Sequence, residues 1–439
     1  MKPAAPEITL RDAFVFLVPA LLAVNAHFGG RLYLSELLLL AALPFLIAEQ
    51  RFSRADRWPT TIVAAGLLWF WAQVITDLYR NTPPIDLLRG WSNIAFTVID
   101  LVAILMLFSG QQRRVIIFAA GIAIGEALAY WFNPSPYAGI DPWKFGVAIP
   151  ITLAIVLLSC HNAVFQNRFL PAVLLLMAGV LNFAFGFRSL GGVCLIASFY
   201  LTAQAFSRGS GSLKVTPARL AAFCAIGISF AALLITAYSH AAREGFLGTP
   251  AAQKYTQESS GRFGVLLGGR PEFFVSSRAI ADSPLIGHGS WAKDPKYTNE
   301  LMSVLYQNGY QPDAGFRYAI QHSGYLIPTH SFLFQSWVEA GLLGAVFWLL
   351  VLALTVTTLI GTFRERQLLS PLLAFLSVFL IWNVFFSPYG ADGRIVAMFT
   401  VAVLLTCKKL AVELRREVPA SDQSHMEPSK LASSRTLAW

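Results

Sequence analysis

At 439 residues, with 56% hydrophobic and only 13% charged side chains and a mean hydropathy of +0.58, the chain cannot be an ordinary soluble globule, whose charged fraction is about twice as large. It reads as an all-α integral membrane protein. The net charge of +9 does not imply a nucleic-acid partner, because the excess sits mostly in the tails and the short connections between apolar segments, where it follows membrane topology.

A hydrocarbon core ~30 Å thick needs about 20 apolar residues per helix. Twelve segments are candidates, near 12–28, 33–48, 59–78, 91–109, 115–132, 145–160, 169–187, 189–206, 220–239, 331–359, 369–387 and 394–407. The first ends in Val24-Asn25-Ala26, small residues that resemble a signal-peptidase site, although an uncleaved signal anchor is the expected outcome. With the N-terminus inside, the short inner connections carry eleven Lys and Arg, among them Arg51, Arg113, Arg114, Arg168 and Arg364. The short outer ones carry six: Arg31, Arg80, Arg89, Lys144, Arg188 and Arg394. This asymmetry puts both termini in the cytoplasm. Residues 1–239 then form spans 1–9, residues 240–329 one large periplasmic loop, residues 330–410 spans 10–12, and residues 411–439 a disordered cytoplasmic tail. SRGSGS at 207–212 reads as a linker. Cys160, Cys194, Cys224 and Cys407 all fall in or beside spans, so neither a disulfide framework nor zinc spacing is readable.

The large loop balances eight cations against seven acids and holds twelve aromatic residues, which implies a packed cap rather than a linker. Within GGRPEFFVSSRAIADSPLIGHGSW, Pro271 and Glu272 suit a helix start and Ser283-Pro284 a stop, predicting a helix over 271–282. Phe273, Phe274 and Ile280 give it an apolar side suited to the membrane surface. Arg270 at its entrance, Arg278 eight residues on, and the turn Gly287-His288-Gly289 together suit a diphosphate; arginines anchored to lipid phosphates would look the same.

Two residues from elsewhere join this set. Arg188, in FGFRSLGG, sits where the outer connection between two spans nearly vanishes, so its charge either meets an anion or snorkels to headgroups. His330, in PTHSFLFQSWVEAGLLG, stands at the entrance of the next span, as a proton acceptor kept neutral by nearby arginines or as a helix cap. Glu339 falls about 13 Å further along that helix on the opposite face, with Gly341 and Gly344 allowing close helix approach.

In combination, Arg188 in its hairpin, GR-PEFF and SPLIGHGSW in a long outer loop, and HSFLFQSWVEAGLLG opening the next span resemble the O-antigen ligase and O-antigen polymerase superfamily of bacterial envelopes. The resemblance covers roughly residues 180–360, and from Ala292 to Pro328 it is closer to exopolysaccharide polymerases than to ligases. It implies a membrane-embedded glycosyltransferase. Such an enzyme moves a glycan from an undecaprenyl-diphosphate carrier to a hydroxyl of a saccharide or lipid-linked acceptor on the periplasmic face. It implies Arg188 and Arg270 as diphosphate ligands and His330 as the catalytic residue; Arg278 has no counterpart there and rests on the helix argument. No cofactor is expected, and with no Asp-x-Asp in the chain the reaction is expected to be metal-independent and inverting. The competing class is an ion-coupled transporter, for which Asp100, Glu126 and Glu339 are acids within spans, although matched halves are not apparent.

Overall fold

The computed structural model describes residues 8–27, 30–49, 57–207, 216–246, 270–307 and 324–417, with the single positions 248, 252, 255, 256 and 320. The 208–212 linker, the tail beyond 417 and the loop aromatics Phe263, Tyr310, Phe316 and Tyr318 lie outside them. The described chain is almost wholly helical, and six of its helices are long and apolar enough to cross a membrane. These are α3 (Arg57–Arg80), α4 (Pro84–Phe108), α5 (Gln112–Phe132), α9 (Arg188–Phe206), α14 (Leu342–Thr362) and the apolar part of α16 (Ala391–Glu417). Shorter apolar helices accompany them: α2 (Leu34–Glu49), α6 (Ala148–Ser159), α8 (Leu170–Ala184) and α15 (Ser370–Phe386); α7 (Asn162–Gln166) is a single turn, and α10 (Pro217–Arg243) extends over 27 residues.

Three elements depart from the hydropathy reading. The first predicted span stops early, because α1 (Leu10–Ala20) has eleven residues, only ~16 Å of helix. It is fixed at its start by a Thr9/Asp12 capping box and runs through a 3-10 turn into a small hairpin, Asn25–His27 against Arg31–Tyr33. The predicted span 331–359 is two helices, α13 (Phe332–Ala340) and α14, broken at Gly341 with φ 69° and ψ −158°. Only glycine adopts that conformation readily, and a Cβ there would collide with the Leu285 carbonyl. Gly341→Ala should therefore cost about 1–3 kcal/mol, read as a lower midpoint in thermal unfolding and faster proteolysis in the loop. Finally, α16 continues to Glu417, so the disordered tail expected from residue 411 is helical in its first seven residues.

The core is centred on α16, whose Met398, Phe399, Val401 and Leu404 are fully buried; Phe399 stacks on Phe118 at 5.2 Å. The charged connections sort to two ends. At one, Arg11 pairs with Glu49 at 3.0 Å and reaches the Met106 carbonyl at 2.6 Å, while Arg113 and Arg114 lie 3.5 and 3.4 Å from Asp12. At the other, Arg31 meets Asp392 at 2.6 Å and Lys293 meets Asp86 at 2.5 Å. Two residues on from Asp392, Arg394 is buried against Glu36 at 2.5 Å and donates to Asn93 at 2.8 Å. Nearby, both Asp100 carboxylate oxygens are buried without a hydrogen-bond partner. The three acids of the transporter reading do not adjoin one another: Asp100 has Glu36 and Arg394 as charged neighbours, Glu126 has Asp392, and Glu339 has Asp77.

Candidate functional site

The loop is docked on the membrane helices by the segment from Ser283 to Ser290. Asp77, near the end of α3, is buried and gathers five donors: Ser290 N–H at 2.6 Å and hydroxyl at 2.7 Å, Thr82 at 2.9 Å, Trp91 Nε1 at 2.9 Å and Gln73 at 3.3 Å. Arg80 donates to the Gly287 carbonyl at 2.7 Å and to Ser283 at 2.7 Å. In return, the amides of His288 and Gly289 donate to the carbonyls of Val338 and Glu339 at 2.7 and 3.0 Å, and Gly287 N–H to Ser283 at 3.1 Å. Gly287 and Gly289 have φ of 84° and 93°, and a Cβ on either would meet atoms of Glu339, Gly341 or Thr82. The Gly-His-Gly turn is thus a latch with its amides already engaged, and it does not supply the phosphate cradle expected of it. In the sequence Asp77 falls inside a predicted span and Arg80 counts only as an outer-side cation, because their partners in the loop lie more than 200 positions away.

Helix α11 (Glu272–Asp282) forms where predicted, with Pro271 at its N-cap. Its buried residues Val275 and Ala279 pack with Tyr297 and Leu301 of α12 (Pro295–Gln307), with Ile327, and with Val338 of α13. Phe273 meets Phe334 of α13 at 4.9 Å. Of the apolar side assigned to the membrane surface, Ile280 packs against this cluster, while Phe273 remains 38% exposed.

This packing leaves a small cleft between α11, α13 and the end of α15. Arg270, Glu272, Phe273, Ser276, His330, Ser331, Phe334, Phe385 and Phe386 line it. His330 is not the helix cap: Ser331 caps α13, accepting from Phe334 N–H at 3.1 Å while donating to the Val384 carbonyl at 2.6 Å. The imidazole instead faces the cleft, where burial, then the charge of Arg270, then that of Lys144 lower its pKa to about 4. It is neutral at physiological pH, the protonation state that a base needs.

Arg270 thus joins His330 as the sequence suggested. Arg188 begins α9, half-buried, and its side chain does not line the cleft. Its hairpin is nonetheless held to the π-helical turn Trp143–Val147: Trp143 stacks on Phe185 at 4.4 Å, and Lys144 Nζ lies 6.0 Å from the Phe187 ring. Lys144, whose charge also acts on His330, therefore links the two regions. In the sequence it registered only as an outer-side cation. Arg278 is placed elsewhere, 60% exposed and 3.6 Å from Asp282. At 100° per residue it lies roughly opposite the cleft-facing Phe273 and Ser276, so the helix that positions Arg270 turns Arg278 away. Glu339 is half-buried on α13, with Asp77 as its charged neighbour. Among the described residues, no three His, Cys, Asp or Glu side chains converge to hold a metal ion.

Compared with known proteins, the chain matches no protein-family model and no curated protein sequence.

Proposed function

We propose that the protein is a glycosyltransferase of the bacterial inner membrane, with both termini cytoplasmic and the cleft open to the periplasm. It transfers a glycan from an undecaprenyl-diphosphate carrier to a hydroxyl of a saccharide or lipid-linked acceptor. The observation that carries this reading is one cleft holding both Arg270 and a neutral, half-buried His330 beside apolar helices. The motif resemblance over residues 180–360 supplies the reaction class.

In that reaction the acceptor oxygen attacks the anomeric carbon, the bond from that carbon to the diphosphate oxygen breaks with inversion, and the electron pair leaves on the lipid diphosphate. His330 takes the hydroxyl proton. Arg270, with Lys144 and, by the motif resemblance, Arg188, offsets the charge on the departing oxygens, the kind of preorganised electrostatic stabilisation that dominates many enzyme reactions. The diphosphate also acts back on the base: its negative charge opposes the two cations that depress His330, so the imidazole gains basicity when donor is bound. The phenyl rings of Phe385 and Phe386 suit the isoprenoid beside the diphosphate.

The test is transfer by the purified protein in lipid, supplied with a diphosphate-linked glycan. Wild-type protein is expected to form product in excess EDTA, and Arg270→Ala to lose at least tenfold in donor affinity. Ion-coupled uptake into proteoliposomes with no glycan product would replace this reading by transport. Absolute dependence on a divalent cation would refute its metal-free chemistry.

A further inference from the structure

Glu272 also lines the cleft, two residues after Arg270, and is the only carboxylate among the described residues of its walls. Its carboxylate accepts from its own backbone N–H, while Oε2 is buried with no hydrogen-bond partner. Leaving such an oxygen unmet is unfavourable, so the position favours any ligand that brings a donor to it. A diphosphate cannot serve, being itself an anion and better matched to Arg270. Beside the carboxylate, Phe273 and Phe334 present a pair of rings tilted by 42° at 4.9 Å, an apolar bed next to an unsatisfied acceptor. A sugar ring has that combination of surfaces: a flat face of C–H groups and a rim of hydroxyl donors.

We propose that Glu272 is the acceptor-binding residue of this cleft, turning its carboxylate to receive hydrogen bonds from hydroxyls of a neutral saccharide laid on Phe273 and Phe334. The same carboxylate repels a uronic acid or phosphorylated sugar at that position, so it selects by exclusion as well as by attraction. Cations and carboxylate then divide the cleft, diphosphate on one side and hydroxyls on the other. The word acceptor rests on the glycosyl-transfer reading; the saccharide site itself does not.

The experiment measures equilibrium binding to full-length protein in lipid nanodiscs by titration calorimetry. The probes are neutral gluco- and galacto-hexasaccharides and their C6-oxidised uronate counterparts. Wild-type protein should bind at least one neutral probe and disfavour its uronate counterpart by tenfold or more. Glu272→Ala should weaken neutral binding at least tenfold. Glu272→Gln keeps the side chain's shape and one accepting oxygen, so it should retain neutral binding within about threefold while cutting the discrimination against uronates at least fivefold; it also guards against a misfolded alanine variant. No neutral binding by the wild type, or the same preference in wild type and Glu272→Gln, overturns the proposal. Glu272-dependent saccharide binding without transfer from a lipid diphosphate would leave the proposal standing and remove the glycosyl-transfer reading instead.

Discussion

His330→Ala is expected to slow transfer by about 10²–10⁴-fold at saturating donor, the usual contribution of a positioned acid or base, with little change in donor affinity. The side chain reaches the cleft from extended backbone just ahead of α13, and Ser331 rather than His330 holds the helix start, so removing the imidazole leaves the cap in place. The pH dependence sharpens the test. A base must be unprotonated; with its pKa lowered to about 4, His330 is neutral throughout the physiological range in the free protein. The acid limb of kcat/KM should therefore appear only as pH falls through about 4. With donor bound, the diphosphate offsets Arg270 and Lys144 while burial persists, so the acid limb of kcat should sit at higher pH than that of kcat/KM. Pre-steady-state and steady-state rates from about pH 3 to 8 would measure both limbs. A kcat/KM that halves near pH 6.5, or full turnover by His330→Ala, would end the assignment.

The second large effect concerns stability. Arg394→Met should destabilise the fold by about 3–5 kcal/mol, because it strands Glu36 without its cation in a site excluded from water. Glu36 is 0% exposed and Arg394 3% exposed, and besides the Arg394 guanidinium Glu36 accepts from the Tyr33 amide at 3.0 Å. Replacing both partners, as Glu36→Gln with Arg394→Met, should recover much of that loss, since breaking a buried pair costs far more than removing it whole. Asp100→Asn provides the contrast: neither of its carboxylate oxygens has a donor, so neutralising it should not lower stability. Denaturant unfolding in detergent, followed by helicity, would rank the variants. An Arg394→Met protein as stable as wild type would show that the pair carries no structural weight.

Most span positions were legible because a helix in hydrocarbon must satisfy its own backbone and present apolar side chains throughout, and both requirements are local. Hence α3, α4, α5 and α9 fall within a few residues of their predicted limits, apart from the seven-residue earlier start of α4. The helix at α11 was equally readable, its start and stop being written in Pro271 and Ser283-Pro284. Hydropathy failed where geometry rather than polarity ends a helix. The chain leaves α1 for a hairpin after eleven residues, and Gly341 divides one apolar run because the Leu285 carbonyl occupies the space of a Cβ.

The site divides along the same line. Residue types alone marked Arg270 and His330, a cation beside a loop helix and an imidazole at a span entrance, and their shared cleft is a consequence of α11 packing on α13. Which other groups join them depends on contacts between distant segments. Packing turned Arg278 outward, consumed the amides of the Gly-His-Gly turn on Ser283 and α13, and left Oε2 of Glu272 buried and unmatched beside the cleft. Composition and periodicity record what each segment needs from its solvent. Only the folded chain determines which side chains, hundreds of residues apart, come to satisfy or to charge one another.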